Sequence, residues 1–167
     1  YYYSERKDAV WSRSFYHDEY NSFVNYVMQD VDYFHQGIEL GVDGKIYGGL
    51  SGNLVVAMGQ HLYNSRPTAS IYVDNSAELI AEDKTVYLQN YKIGGMPQSA
   101  ASAGLKYSGK KYWFAGVNFN YFADIYLDPN PDRRTAEAVA NFVESDPQFA
   151  QTIEQTKLEN GYSMSLF

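Results

Sequence analysis

Residues 96–128 read MPQSAASAGLKYSGKKYWFAGVNFNYFADIYLD, two alternating runs joined by the polar turn Ser108-Gly109-Lys110-Lys111. From Ala101 to Tyr107 the odd positions are Ala, Ala, Leu and Tyr, and the even ones Ser, Gly and Lys. From Trp113 to Tyr121 the odd positions are Trp, Ala, Val, Phe and Tyr, against Phe, Gly, Asn and Asn. Side chains along a strand alternate between its faces, so each run sets an apolar face against a small or polar one. About ten residues per run is the length of a tilted strand that crosses a bilayer within a barrel. A half-buried sheet in water alternates in the same way, so the pattern is compatible with both.

Composition bounds the class. The 17 Tyr, 9 Phe and 2 Trp in 167 residues favour strands and interfaces over helical bundles. A net charge of −7 argues against a nucleic-acid footprint. With no Cys there is no disulfide scaffold, thiolate metal site or thiol nucleophile. Mean hydropathy is −0.44, and no apolar run reaches the ~18 residues of a transmembrane helix. A barrel's polar interior positions keep its mean hydropathy low, so a membrane protein stays open. The chain starts at Tyr1 without Met or a signal peptide and stops at Phe167 directly after an alternating run, which reads as a piece cut inside a strand, the alternative being a true outer-membrane C-terminal strand.

Outward from the opening hairpin, residues 1–33 read as a polar, aromatic loop in which Phe23, Val24, Val27, Met28 and Val31 predict a short amphipathic helix. A strand follows near 35–46, with Ile38, Leu40, Val42 and Ile46 on one face. Its turn is either Asp43-Gly44 or Tyr47-Gly48-Gly49. The next strand, 50–63, sets Leu50, Leu54, Val56, Met58 and Leu62 on the same face. A long connection, 64–96, contains a short hairpin of Ser70–Asp74 with Thr85–Gln89. Strands 97–107 and 112–122 follow. A second long connection, 123–161, carries a helix from Thr135 to Glu144, capped by Thr135 and striped by Ala136, Val139, Ala140 and Val143. The chain ends in a strand at 162–167. The whole reads as one mainly β unit: about five antiparallel strands of a transmembrane barrel wall, with long loops carrying short helices.

Short turns alternating with long loops give that wall two unlike ends, as in outer-membrane barrels. Tyr107, Tyr112 and Trp113 flank the short turn, and Tyr121, Phe122 and Tyr126 mark the other end, where interfacial girdles belong. Val117 and Phe119 fall between them on the face expected to meet lipid.

Residues 94–135, GGMPQSAASAGLKYSGKKYWFAGVNFNYFADIYLDPNPDRRT, resemble the late-barrel segment of TonB-dependent outer-membrane receptors, particularly the Oar-like branch with a carboxypeptidase-regulatory-like N-terminal domain. The likeness lies in a G-x-P-Q-x-A-x-x-x-G-L-x-Y strand (Gly95, Pro97, Gln98, Ala100, Gly104, Leu105, Tyr107), a K-Y-W start (Lys111, Tyr112, Trp113) and an N-Y-F…I-Y-x-D-x-N-P-x-R-R-T exit (Asn120 to Thr135). Residues 23–46 and 153–167 are also similar to the family's flanking segments. No TonB box, plug domain or regulatory-like domain lies within the chain. The resemblance implies a barrel of about 22 strands in a Gram-negative outer membrane, and energy-coupled uptake of a bulky nutrient. It implies as partners outer-membrane lipid, the rest of the barrel and its plug, TonB, and a surface lipoprotein as a possible lid; no cofactor is implied. Gly104, Gly116, Asn118 and Asn120 would face the plug.

Chemical sites are sparser than architecture. His17-Asp18-Glu19 has metal-compatible side chains, but adjacent residues of a polar loop do not converge on one ion without further ligands. His35 and His61 have no recognisable nucleophile partner, and no G-x-S-x-G, P-loop or H-E-x-x-H spacing occurs. Asp124, Asp128 and Asp132 superficially suggest a carboxylate pair or a calcium loop, yet 123–135 lacks the glycine of a calcium loop. Asp128-Pro129-Asn130-Pro131 reads instead as a rigid Asx-type turn in an extracellular loop, with Arg133 and Arg134 as loop-stabilising cations. The loop aromatics Trp11, Phe15, Tyr16, Tyr20, Tyr72, Tyr87 and Tyr91 suit stacking on sugars or peptides, or packing of the loops themselves. No catalytic constellation emerges and an enzyme is not expected. The competing reading is a soluble β-rich binding module for carbohydrate or peptide.

Overall fold

The computed structural model describes residues 1–143 and 145–167. It is an antiparallel sheet of eight strands that does not close. The strands are β1 (Tyr2–His17), β2 (Ser22–Tyr47), β3 (Leu50–Tyr63), β4 (Thr68–Val73), β5 (Leu79–Thr85), β6 (Pro97–Ser108), β7 (Phe114–Ile125) and β8 (Gly161–Leu166). A single 3-10 turn at Pro131–Arg134 and one short helix, α1 (Pro147–Ile153), lie in the last long connection.

The organising element is β2, 26 residues long. One of its edges carries β1 along Ser22–Gly37. The other carries β4 along Val24–Gln29 and β3 along Tyr33–Tyr47, so β3 and β4 are two lengths of one border split at 64–67. From β3 the order continues β6, β7, β8, each antiparallel to the last. Among the described residues no strand pairs with the other edge of β2 over 38–47, or with the outer edge of β8.

Residues 1–33 are therefore a strand hairpin and not a loop, and the helix expected at 23–31 is part of β2. The helical spacing has a structural cause. Val24, Tyr26 and Met28 alternate onto one buried face. At Asp30 the backbone takes φ 60°, a left-handed conformation that Asp tolerates better than most residues. That kink reverses the alternation, so Val31 joins the same buried face. Positions 24, 28 and 31 then imitate a helix stripe, while the Val, Phe and Tyr content favours the strand that forms.

The other strands keep their expected places with shifted ends. Of the two turns weighed for β2–β3, the chain uses Gly48-Gly49: Tyr47 pairs with Leu50, while Asp43 and Gly44 pair in mid-strand. The β6–β7 turn ends two residues later than expected, at Trp113, with the Gly109 amide donating to the Trp113 carbonyl at 2.8 Å. Trp113 thus sits in the turn, and Tyr112 takes φ 58° beside it. The hairpin inside 64–96 exists in a different register, Thr68 pairing with Thr85 and Tyr72 with Leu79. The helix expected at 135–144 does not form over its described residues, Glu144 lying outside them. Residues 136–141 make successive turns, with i−3 bonds such as Ala140 to Glu137. Thr135 still caps them, its hydroxyl accepting from the Ala138 amide, but its backbone is held in a bridge to Val86.

One compact core forms, at the loop end of the sheet. Ala9, Val24, Tyr26, Met28, Val31, Tyr63, Ala69, Ile71, Val86 and Leu88 pack together there. The segment after β5 folds back to bring Val86 and Leu88 onto the inner face of β1, β2 and β4.

Candidate functional site

Below that core the sheet reverses its sidedness. The register places Ile38, Met58 and Ser99 side by side, then Leu40, Val56, Ala101, Tyr121 and Tyr162, then Val42, Leu54, Ala103, Phe119 and Met164. Leu105, Val117 and Leu166 form the next row. All share one face, and most are exposed, Leu40 at 70%, Val42 at 62% and Met164 at 66%, while Val56, Ser99, Ala101 and Val117 are half-buried. The grouping of Ile38, Leu40 and Val42 with Leu54, Val56 and Met58 is the one their alternation predicts. We call this surface the belt.

Aromatic side chains edge the belt. Tyr107 and Trp113 lie 5.4 Å apart at the short-turn end, where the indole covers Gly109 so closely that a Cβ there would meet it at 2.2 Å. Tyr112 projects beside them, fully exposed. At the opposite end, Tyr121 and Tyr162 are paired across β7–β8, and Phe119 stacks on Tyr162 at 6.3 Å. Val117, Phe119 and Tyr121 thus share the belt face with Tyr107, as the sequence pattern requires. Phe122 belongs to the opposite face.

That opposite, inner face is mostly small and polar, with Val55, Phe114 and Phe122 as its larger apolar side chains. Glu39, Asp43 and Lys45 on β2 face Ala57, Asn53 and Ser51 on β3. Beyond them come Ser102, Gly104 and Lys106, then Gly116, Asn118 and Asn120, then Ser163 and Ser165. Asn118 donates to Asn120 at 3.2 Å, and Asn120 to Ser163 at 3.2 Å. Gly104 is required by crowding: a Cβ would meet Asn53 Oδ1 at 2.2 Å and Asn118 Oδ1 at 2.8 Å. A groove of ≈ 580 Å³ runs over this face between Asp43, Lys45, Lys106 and Ser165.

The predicted loop residues converge on tethering. Asp128 Oδ1 accepts from the Gly94 amide at 2.9 Å, and Asn130 Oδ1 from the Asp132 amide at 3.1 Å, the Asx-type bond expected of that turn. Arg134 is buried, donating to the carbonyls of Asn130 (3.1 Å) and Glu154 (2.9 Å) while its guanidinium lies over the Tyr91 ring. Arg133 is exposed. The three aspartates do not gather: Asp124 binds Lys157 at 2.5 Å, Asp128 holds Gly94, and Asp132 lies 3.4 Å from His17 Nε2. The hydrogen bond from Lys157 to Asp124 raises the lysine above its ordinary pKa.

His17 is buried, stacked by Phe15 and by Tyr20 at 4.5 Å, whereas Asp18 and Glu19 are exposed, so the triplet does not converge. Among the described residues no three His, Asp or Glu side chains gather about one point. Trp11, Phe15, Tyr20 and Tyr91 pack against the core, as the loop-packing reading requires. Tyr87 lies between the Arg66 guanidinium and Phe149.

One cluster escapes sequence reasoning. His35 and His61 are cross-strand partners with Nδ1 atoms 3.0 Å apart, and the Tyr2 phenol lies 3.3 Å from His61 Nε2. The His61 amide donates to Gln98 Oε1 at 2.7 Å. The register of β2 against β3 slips between Lys45 and Tyr47, and without that slip the two histidines would miss each other. Comparison with family models, with curated proteins and with solved structures finds no match to this chain.

Proposed function

We propose that this chain is part of the wall of a transmembrane β-barrel in a Gram-negative outer membrane, its belt in contact with lipid. The observation that supports it most is the exposed belt itself. Five strands about 4.8 Å apart, with ten residues at about 3.3 Å each, make an apolar patch on the order of 700 Å². Water-soluble monomers rarely expose contiguous patches beyond a few hundred Å². The belt's height of about ten residues matches a tilted membrane-crossing strand, and its aromatic borders match the girdles of such barrels. An unpaired edge is intolerable in lipid, so in this reading the open edges of β2 and β8 meet other strands of the same barrel.

The finer assignment rests on the sequence resemblance. In it the parent protein is a TonB-dependent receptor that captures a bulky nutrient and releases it inward when TonB acts on the plug. The polar inner face then lines the lumen against the plug, and the cap over β1, β2, β4 and β5 stands outside the cell. The soluble binding module instead needs a second layer over the belt, and the described residues supply none.

The test uses the parent protein and single-cysteine spin labels, which are clean over this stretch because it has no Cys. Labels at Leu40, Val56, Phe119 and Met164 are expected to be accessible to oxygen and shielded from a water-soluble nickel complex. Labels at Asp43, Asn53, Asn118 and Ser163 are expected to show the reverse. Belt labels freely reached by the nickel complex, in a protein monodisperse without detergent, would sink the membrane reading.

A further inference from the structure

We infer that His35 and His61 form a binding site for a divalent transition-metal ion, of the Cu²⁺ or Ni²⁺ class, on the inner face of the sheet just above the belt. Three strands build it: β1 supplies Tyr2, β2 His35 and β3 His61. The two Nδ1 atoms are 3.0 Å apart. Two imidazole nitrogens each about 2.1 Å from one ion stand about 3.0 Å apart when they are cis ligands in square-planar or octahedral geometry, and about 3.4 Å apart in a tetrahedron. In the metal-free chain that spacing is held by a hydrogen bond between the two rings; once the shared proton leaves, both nitrogens reach one ion as cis ligands, and imidazole suits Cu²⁺ and Ni²⁺.

The surroundings fit a ligand role. A metal-bound histidine needs its second ring nitrogen held, which fixes the tautomer and aims the first. For His61 that holder is the Tyr2 phenol, 3.3 Å from Nε2. Tyr2 reaches it because glycine occupies both flanking positions: a Cβ at Gly37 or at Gly59 would meet the phenol oxygen at 2.4 Å. The Tyr33 ring lies nearly parallel to His35, 6.5 Å away. Both histidines are half-buried, with water free to complete the coordination shell. Nothing in this arrangement depends on whether the belt meets lipid.

The site is tested on the untagged parent protein, in detergent or in buffer, with Cu²⁺ alone. Electron paramagnetic resonance is expected to show one equivalent of copper split by two imidazole nitrogens. His35→Gln and His61→Gln should each lose one nitrogen, and Tyr2→Phe should weaken binding by about tenfold, as removing the support behind a ligand does. His17→Gln should leave the signal intact. A purely aqueous copper spectrum overturns the proposal, as does a two-nitrogen signal that survives His35→Gln. Should the histidine variants fail to fold, a dye on Ala57→Cys, on the same face as His61, reports in the unaltered background. Copper is expected to quench it at one equivalent, and an unquenched dye overturns the site.

Discussion

The two halves of β2 turn the same kinds of side chain to opposite faces. Near its start Val24 is 0% exposed and packs inward with Tyr26 and Met28. Fifteen or so residues on, Leu40 and Val42 point to the other face and stand 70% and 62% exposed. Between them the inner face passes through Tyr33, His35 and Gly37 to Glu39 and Asp43. One continuous strand thus carries a buried apolar face at one end and, on its other side, an exposed one at the other. Burying apolar area is favourable only relative to the solvent outside. On the proposed reading that solvent changes from water to lipid at about the level of Gln36 and Gln60, whose side chains hydrogen-bond at 3.0 Å across the pair.

Truncation should separate the halves most sharply. Ile71, fully buried in the cap, should cost about 2–5 kcal/mol as Ile71→Ala. Leu40→Ala leaves no cavity in the protein, so with lipid over the belt it should lose only the transfer free energy of the removed carbons, about 1–2 kcal/mol. Denaturant titration of the parent protein reads both, and equal costs would mean that the belt is covered by something outside the described residues. Charge gives the next largest effect. Leu54→Arg lies in the middle row of the belt and should cost about 2–4 kcal/mol in lipid vesicles. An unchanged midpoint in vesicles would place Leu54 in water.

The belt half was legible in the sequence and the cap half was not, for physical reasons. Residues 101–107 and 115–121 alternate without interruption, so each odd side chain reports its face directly. In the cap, left-handed residues within the strands, at Asp8, Asp30 and Asp83, break the alternation that periodicity depends on. The broken pattern read as a loop in β1 and as a helix in β2. The loop residues were read correctly where chemistry is local, as in the Asn130 turn. They were not read where it is distant in sequence: Arg134 finds Glu154, 20 residues on in the same connection, and Asp132 finds His17 at the end of β1. The histidine pair depends on a one-residue slip near Ile46 that has no turn or glycine signature.

Arg134 offers a smaller break, confined to the cap. Its guanidinium ties the Asn130 and Glu154 carbonyls, closing the connection that carries α1. Arg134→Met keeps the stem and loses both bonds, so about 1.5–3 kcal/mol should go from the cap. Hydrogen exchange should rise over 126–158 while the belt strands keep their protection. A rise spread evenly over β6 and β7 would show that the two halves unfold as one.

The smallest effect is the most discriminating about the cap's interior. Tyr26 is fully buried, and its phenol oxygen has no hydrogen-bond partner among the described residues. Burial pushes its pKa far up, with Asp132 and Glu137 adding to the rise, so the group keeps its proton throughout the working range. An unpaired buried hydroxyl costs the free energy of its lost water contacts, whereas the ring earns its place by packing against Phe15 at 6.1 Å. Tyr26→Phe removes the first and keeps the second. It should raise stability by up to about 1 kcal/mol, and on the proposed reading, in which the cap stands in water, the gain should be the same in detergent and in vesicles. A loss in place of that gain would mean that the hydroxyl has a water or side-chain partner, and that the cap is wetter inside than its apolar lining implies.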